Sequence, residues 1–323
     1  MADADPFRPA NDVRLTAAAA VGVGEVWQLP GGRAGVYWPG QSAASGDRAV
    51  FSGTGQYTCP KAAGVNLLDG GRAYWDRSAR VVTFKKVNGR DFLLGQIAGD
   101  AAADDATCVV NVNVPPRPTI DLLRDGAQSV PTGTQAVGGF GLPATVGGVP
   151  GLLLTATNEA QCIDLLSVDL VAVAANPVAE FVLRIAANGS TSAVDLNVGL
   201  ASGTHASDAD AIAEHVFFHL DGAALDLKAQ SKDGTTTVAA VDTTKDVTAG
   251  TAVANRVELW IDCRDPANVK LYVDAVRVLS ATTFRLDNAA GPLGLLAHLE
   301  KTAGTATAGP VWLDRAEMRT AEQ

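Results

Sequence analysis

The chain has 323 residues, 47% hydrophobic but only 6% aromatic, and a formal net charge of −10. An acidic surface disfavours phosphate neutralisation, which argues against nucleic acid as a partner and against attachment to anionic lipid. The most apolar runs, 151–154 and 293–299, are far too short to span a membrane.

The first residues carry Asp3, Asp5 and Asp12 without a basic stretch, and Glu25 and Trp27 soon follow the small apolar run 17–23. The expectation is therefore no signal peptide and synthesis in a host cytoplasm. In the first block, 13–114, turn signals at Gly31-Gly32, Gly53-Thr54-Gly55, Asp69-Gly70-Gly71 and Asn88-Gly89 separate short β-prone runs. Asn88-Gly89 reads as a type I′ turn joining 81–84 to 92–94, because both central residues of that turn need positive φ. Residues 107–114 alternate as a closing strand. A small, closed or nearly closed β-barrel is the economical result, since closure removes exposed edges.

Residues 115–150 contain Pro115, Pro116, Pro118, Pro131, Pro143 and Pro150, with Gly138, Gly139, Gly141, Gly147 and Gly148. Missing donors and high chain entropy predict a linker, with 120–124 as one helical turn or a short strand. The second block, 151–323, has expected strands at 179–185, 193–200, 215–220, 224–230, 235–241, 256–263, 269–273, 276–279 and 311–318. Asn188-Gly189 is the turn between the first two, and 208–214 is the one weak helix. This density of strands fits a two-sheet sandwich. The expected organisation is thus 1–114, a linker over 115–150, and a sandwich over 151–323.

A series of short phrases gives the first block a family resemblance. They are Gly24-Glu25-Val26-Trp27, Gly35-Val36-Tyr37, Ser45 to Val50, Gly55-Gln56-Tyr57 with Pro60-Lys61, Gly70 to Asp76, and Leu94-Gly95-Gln96-Ile97. In this order they resemble the phage capsid-cement family. The resemblance implies a non-enzymatic β-barrel that coats the lattice of a major capsid protein on the outside of a virion, as a homo-oligomer and often a trimer. The second block resembles the concanavalin-like, laminin-G-like jelly roll through Asp265 to Asp274 and, more weakly, His215 to Gly222. Ala275 stands where that hairpin usually has glycine, and alanine resists positive φ. This likeness makes glycans a candidate partner, and a carbohydrate-binding adhesin is the alternative function.

Catalytic and metal motifs are weak. His215 and His219 beside Glu214 would share a helix face, but Val216-Phe217-Phe218 favours a strand, which holds the imidazoles too far apart for one ion. Surface or interface histidines are expected. Glu258, Trp260 and Asp262 share a strand face, with the aromatic between the acids a glycosidase would need together. Gly139 to Ala144 only superficially fits a dinucleotide fingerprint. Asp208 with Asp210, or Asp100 with Asp104 and Asp105, are the nearest to calcium ligands, yet such acids more often solvate a loop. No catalytic residue, cofactor or metal is expected. Cys59, Cys108, Cys162 and Cys263 are expected as buried thiols, with a Cys59–Cys108 disulfide left open. In Tyr37-Trp38 and Tyr74-Trp75, neighbouring rings must point to opposite sides of a strand. Each pair therefore offers one outward ring, and Tyr37, Trp38, Tyr74 and Trp75 are the candidate interface residues.

Overall fold

Apart from three single-turn 3-10 helices, every regular element among the described residues is a β-strand, as expected. The computed structural model describes residues 12–39, 41–133, 151–155, 158–186, 194–222, 225–302 and 308–320. They divide between two units, Met1–Arg117 and Pro118–Gln323.

In the first unit β1 (Asp12–Thr16), β2 (Val26–Gln28), β3 (Ala34–Tyr37) and β4 (Arg48–Ser52) form an antiparallel sheet in the order β1-β4-β3-β2. It packs Val21, Leu29, Tyr37, Ala49 and Phe51 together. A second sheet, in the order β5-β9-β8-β6-β7, contains β5 (Gln56–Pro60), β6 (Arg72–Asp76), β7 (Val81–Thr83), β8 (Phe92–Ile97) and β9 (Thr107–Val112). Its buried side chains include Trp75, Phe92, Leu94, Ile97 and Val110. Gly95 lies so close to β9 that a Cβ would stand 2.0 Å from the Asn111 carbonyl oxygen. The Asn113 side chain links the sheets, donating to the carbonyls of Ala34 (2.9 Å) and Gly53 (2.6 Å) and accepting from the Ala34 N–H.

One expectation for this unit is met in its open form and one is corrected. The strands make two sheets without a closed ladder, and the five-stranded sheet comes close to closing, with a lone parallel bridge from Lys61, just after β5, to Val82 of β7. The Asn88-Gly89 hairpin is not formed, because β8 pairs with β6 rather than with β7. Asp91 explains the difference: its carboxylate accepts from the N–H groups of Arg77, Val87 and Asn88, holding a wide loop where a tight turn was expected.

The second unit contains β10 (Ile120–Asp121), β11 (Ala127–Gly133), β12 (Gly151–Leu154), β13 (Gln161–Ser167), β14 (Val178–Ile185), β15 (Val194–Ala201) and β16 (Glu214–Asp221). It continues with β17 (Asp226–Asp233), β18 (Thr237–Asp246), β19 (Val257–Asp262), β20 (Lys270–Val273), β21 (Val276–Val278), β22 (Gly294–Lys301) and β23 (Ala308–Arg319). One sheet runs β10-β23-β14-β19-β20-β21, with β12 also on β23; the other runs β11-β13-β22-β15-β16-β17-β18. Alternate residues of both sheets fill one core, including Phe181, Leu183 and Leu259 from the first and Leu196, Val198 and Phe218 from the second. The two-sheet sandwich is therefore present.

Part of the expected linker belongs to this sandwich: β10 pairs with β23 and β11 with β13. Pairing satisfies backbone groups that a solvated linker would leave to water. The weak helix shrinks to a single turn at Ala209–Ala211, capped by Asp208. Asp274 and Ala275 adopt φ of 48° and 62°, so the β20–β21 hairpin keeps a type I′ turn despite alanine in the glycine position. Residues 134–150, with the glycine phrase, and the Asn188-Gly189 turn lie outside the described residues.

Candidate functional site

Alternation divides the aromatic pairs as strand geometry requires. Tyr37 packs inward against Phe51 and its hydroxyl donates to the Gln41 carbonyl, whereas Trp38 is 66% exposed and meets Tyr57 edge-on. In the other pair Trp75 is buried and Tyr74 is half-buried, so Trp75 leaves the set of outward rings. Its face of β6 turns into the core with Ala73.

The connection from β6 to β8, which includes β7, is a locally basic stretch that the acidic net charge hides. Residues 77–90 carry Arg77, Arg80, Lys85, Lys86 and Arg90 and no acid. Two buried carboxylates fix its ends: Asp91, described above, and Asp76, which accepts from the N–H groups of Ser78 and Ala79 and from the Ser78 hydroxyl. Those bonds, led by the Ser78 hydroxyl, hold Asp76 below the usual carboxylate pKa. The loop after β7 presents Val87, 64% exposed, near Lys85, Lys86 and Arg90. Arg80 of this stretch pairs with Glu25 at 3.0 Å, and Lys85 Nζ lies 4.9 Å from the Phe84 ring centroid.

In the sandwich, one face of the β13-β22-β15-β16-β17 strands packs in the core while the opposite face carries two polar rows. Cross-strand register aligns Asp164, His298, Asn197, His219 and Lys228 in one row. It aligns Cys162, Glu300, Asp195 and Asp221 in the next. His298 is fully buried, with Nδ1 2.6 Å from Asp164 Oδ1 and Nε2 2.8 Å from Glu300 Oε2. Cys162 Sγ is 3.6 and 3.8 Å from the two ring nitrogens. Carboxylates hold both ring nitrogens of His298, and Cys162, His298 and Glu300, which lie close together, are all buried.

His219 is held differently, with Nδ1 2.6 Å from Asn197 Oδ1 and Nε2 2.8 Å from Asp221 Oδ1. Lys228 Nζ lies 2.6 Å from the other Asp221 oxygen. Burial pushes the neighbouring Asp195 carboxyl up to about 7. Burial also opposes charge on Asp221, but the hydrogen bonds from Lys228 and His219 prevail and bring it to about 2. The expectation of surface histidines is corrected for both residues. His215 is buried and stacks on Phe217 with centroids 4.4 Å apart, and burial lowers its pKa to about 4.

The remaining candidates have structural partners. Trp260 Nε1 donates to Glu258 at 3.0 Å and Arg315 pairs with the same carboxylate, which burial nevertheless pushes up to about 7. Asp100, Asp105 and Asp208 accept from the N–H groups of Asp69, Ala102 and Asp210, respectively. They close turns. The four cysteines are free and buried; Cys59 and Cys108 stand opposite each other on β5 and β9.

Residues 7–112 match the family model described as phage cement protein. Comparison with curated proteins finds no match. Among solved structures, the chain is similar to the potassium-bound Emp46p carbohydrate recognition domain, at 13% identity and TM-score 0.36, covering 59% of this chain and 88% of that one. It is similar to LamAcat from Zobellia galactanivorans at 10% identity and TM-score 0.39, covering 54% and 78%. A protein of unknown function, SO2946 from Shewanella oneidensis MR-1, has 11% identity and TM-score 0.36, covering 61% and 80%. No residue role is carried over from any of them.

Proposed function

We propose that the chain is a structural decoration, or cement, protein of a tailed-phage capsid. The first unit seats on the major capsid protein lattice, copies of the chain associate as a trimer, and the sandwich projects from the shell without enzymatic activity. The match of residues 7–112 to the phage cement model carries this reading. The exposed Trp38 and the anchored basic loop support it, because an otherwise acidic protein keeps cations and an apolar ring for contact. Repeated weak contacts on one lattice add through avidity.

Co-sedimentation of the full chain with mature capsids lacking it tests the proposal. Saturable binding that weakens with salt, and falls at least tenfold in a Lys86→Glu, Arg90→Glu chain, is expected for docking through the basic loop. A chain that stays in the supernatant at every concentration contradicts it.

A further inference from the structure

We infer that the sandwich binds one divalent transition-metal ion of the zinc class through Asp195, His219 and Asp221. Asp195 and Asp221 are register partners on β15 and β16, and His219 lies two residues before Asp221 on the same face. One ligand atom from each lies within 4.8 Å of the other two.

The hydrogen bonding leaves Nε2 as the ring nitrogen that faces the two carboxylates. Asn197 Oδ1, 2.6 Å from Nδ1, is an acceptor and has no proton to give. Nδ1 therefore carries a hydrogen and stays out of any metal's reach. Nε2, 2.8 Å from an Asp221 oxygen, donates its own hydrogen to that carboxylate in the metal-free chain. A metal ion bound between them would displace that proton to solvent and take the Nε2 lone pair. A metal-bound histidine is ordinarily held in this way, by an acceptor on its far nitrogen.

Asp195 supplies the second observation. Its Oδ1 is shielded from solvent and has no hydrogen-bond partner among the described residues. Lys228 offsets one of the two aspartate charges and leaves the other for a cation. The Asp221 side chain is 45% exposed, which gives an ion a way in from solvent. One imidazole and two carboxylates suit zinc, manganese or cobalt better than calcium, which prefers oxygen alone, or copper(I), which prefers sulfur. Donors about 2.0–2.1 Å from a tetrahedral ion stand roughly 3.3 Å apart, so the His219–Asp221 pair must open by about half an ångström. Water would complete the fourth position.

Titration calorimetry of the full chain with zinc chloride, and the visible absorption of cobalt(II), test the inference. One equivalent should bind with micromolar or tighter affinity. Asp221→Asn and His219→Gln should each abolish binding, Asn197→Ala should weaken it by about 10–100-fold, and Cys162→Ser should leave it unchanged. Asp221→Asn alters a half-exposed side chain and decides the matter even if His219→Gln does not fold. Absence of saturable zinc binding, undiminished binding by Asp221→Asn, or loss of binding in Cys162→Ser would overturn the assignment.

Discussion

His298 and Asp164 face each other from neighbouring strands, Nδ1 to Oδ1 at 2.6 Å, with neither side chain exposed at all. Glu300 approaches the other ring nitrogen, so one imidazolium ties together acids from two register rows. The arrangement pins β13 to β22 on the face of the sheet opposite the core.

Removing one member of a buried charge pair strands the others, at a typical cost of about 3–5 kcal/mol. His298→Gln is expected to lose that much in urea unfolding. Glu300→Gln should lose less, because Asp164 still holds the ring. A loss below about 1 kcal/mol in His298→Gln would show that the triad contributes little.

The two buried histidines also predict opposite pH windows. Burial opposes charge on His298, but hydrogen bonds with Asp164, Cys162 and Glu300 prevail and hold its pKa well above the ordinary value. The folded chain therefore binds this proton more tightly than the unfolded chain. Its contribution is complete below about pH 6.5 and is lost as pH rises through the folded value. His215 behaves in the reverse sense: with its pKa lowered to about 4, its contribution is present above the unfolded value and is lost as pH falls toward 4. Stability measured against pH should lose its alkaline slope in His298→Gln and keep the acid one. An unchanged alkaline slope would refute the assignment.

The tryptophans should separate stability from binding. Trp75→Ala removes a core ring and is expected to cost about 3–5 kcal/mol. Trp38→Ala removes an exposed one and should alter stability by less than about 0.5 kcal/mol, while weakening capsid association. Equal unfolding midpoints for the two variants would contradict this division.

Thiol chemistry checks the cysteines. Burial pushes Cys59 up to about 11 and Cys108 up to about 12, so the reactive thiolate is scarce at neutral pH. Native protein should react slowly with an aromatic disulfide reagent, and all four thiols should react after denaturation. A Cys59–Cys108 disulfide would leave only two.

Much of the fold was legible because its cause is local. Alternation located β14 to β21, and the type I′ geometry at Asp274 and Ala275 follows from a two-residue loop even without glycine. The polar rows were not legible because β13 and β22 lack clean alternation. Leu166 and Leu296 lie on the polar side, where they pack with Phe217, Ala209 and Ile212, so apolar residues occupy both faces of each strand. The spaced pairs Cys162-x-Asp164, Asp195-x-Asn197, His219-x-Asp221 and His298-x-Glu300 were the available signal. Only register, set by tertiary pairing, brings them together. Asn88-Gly89 shows the converse, a strong local turn preference overridden by a carboxylate two residues later.

Electron cryo-microscopy of capsids saturated with the full chain tests the central claim most directly. The account predicts density for the first unit on the outer shell, at symmetry-related positions, with Trp38 and the basic stretch 77–90 against the lattice. Density confined to the tail, or a bare shell, would contradict it.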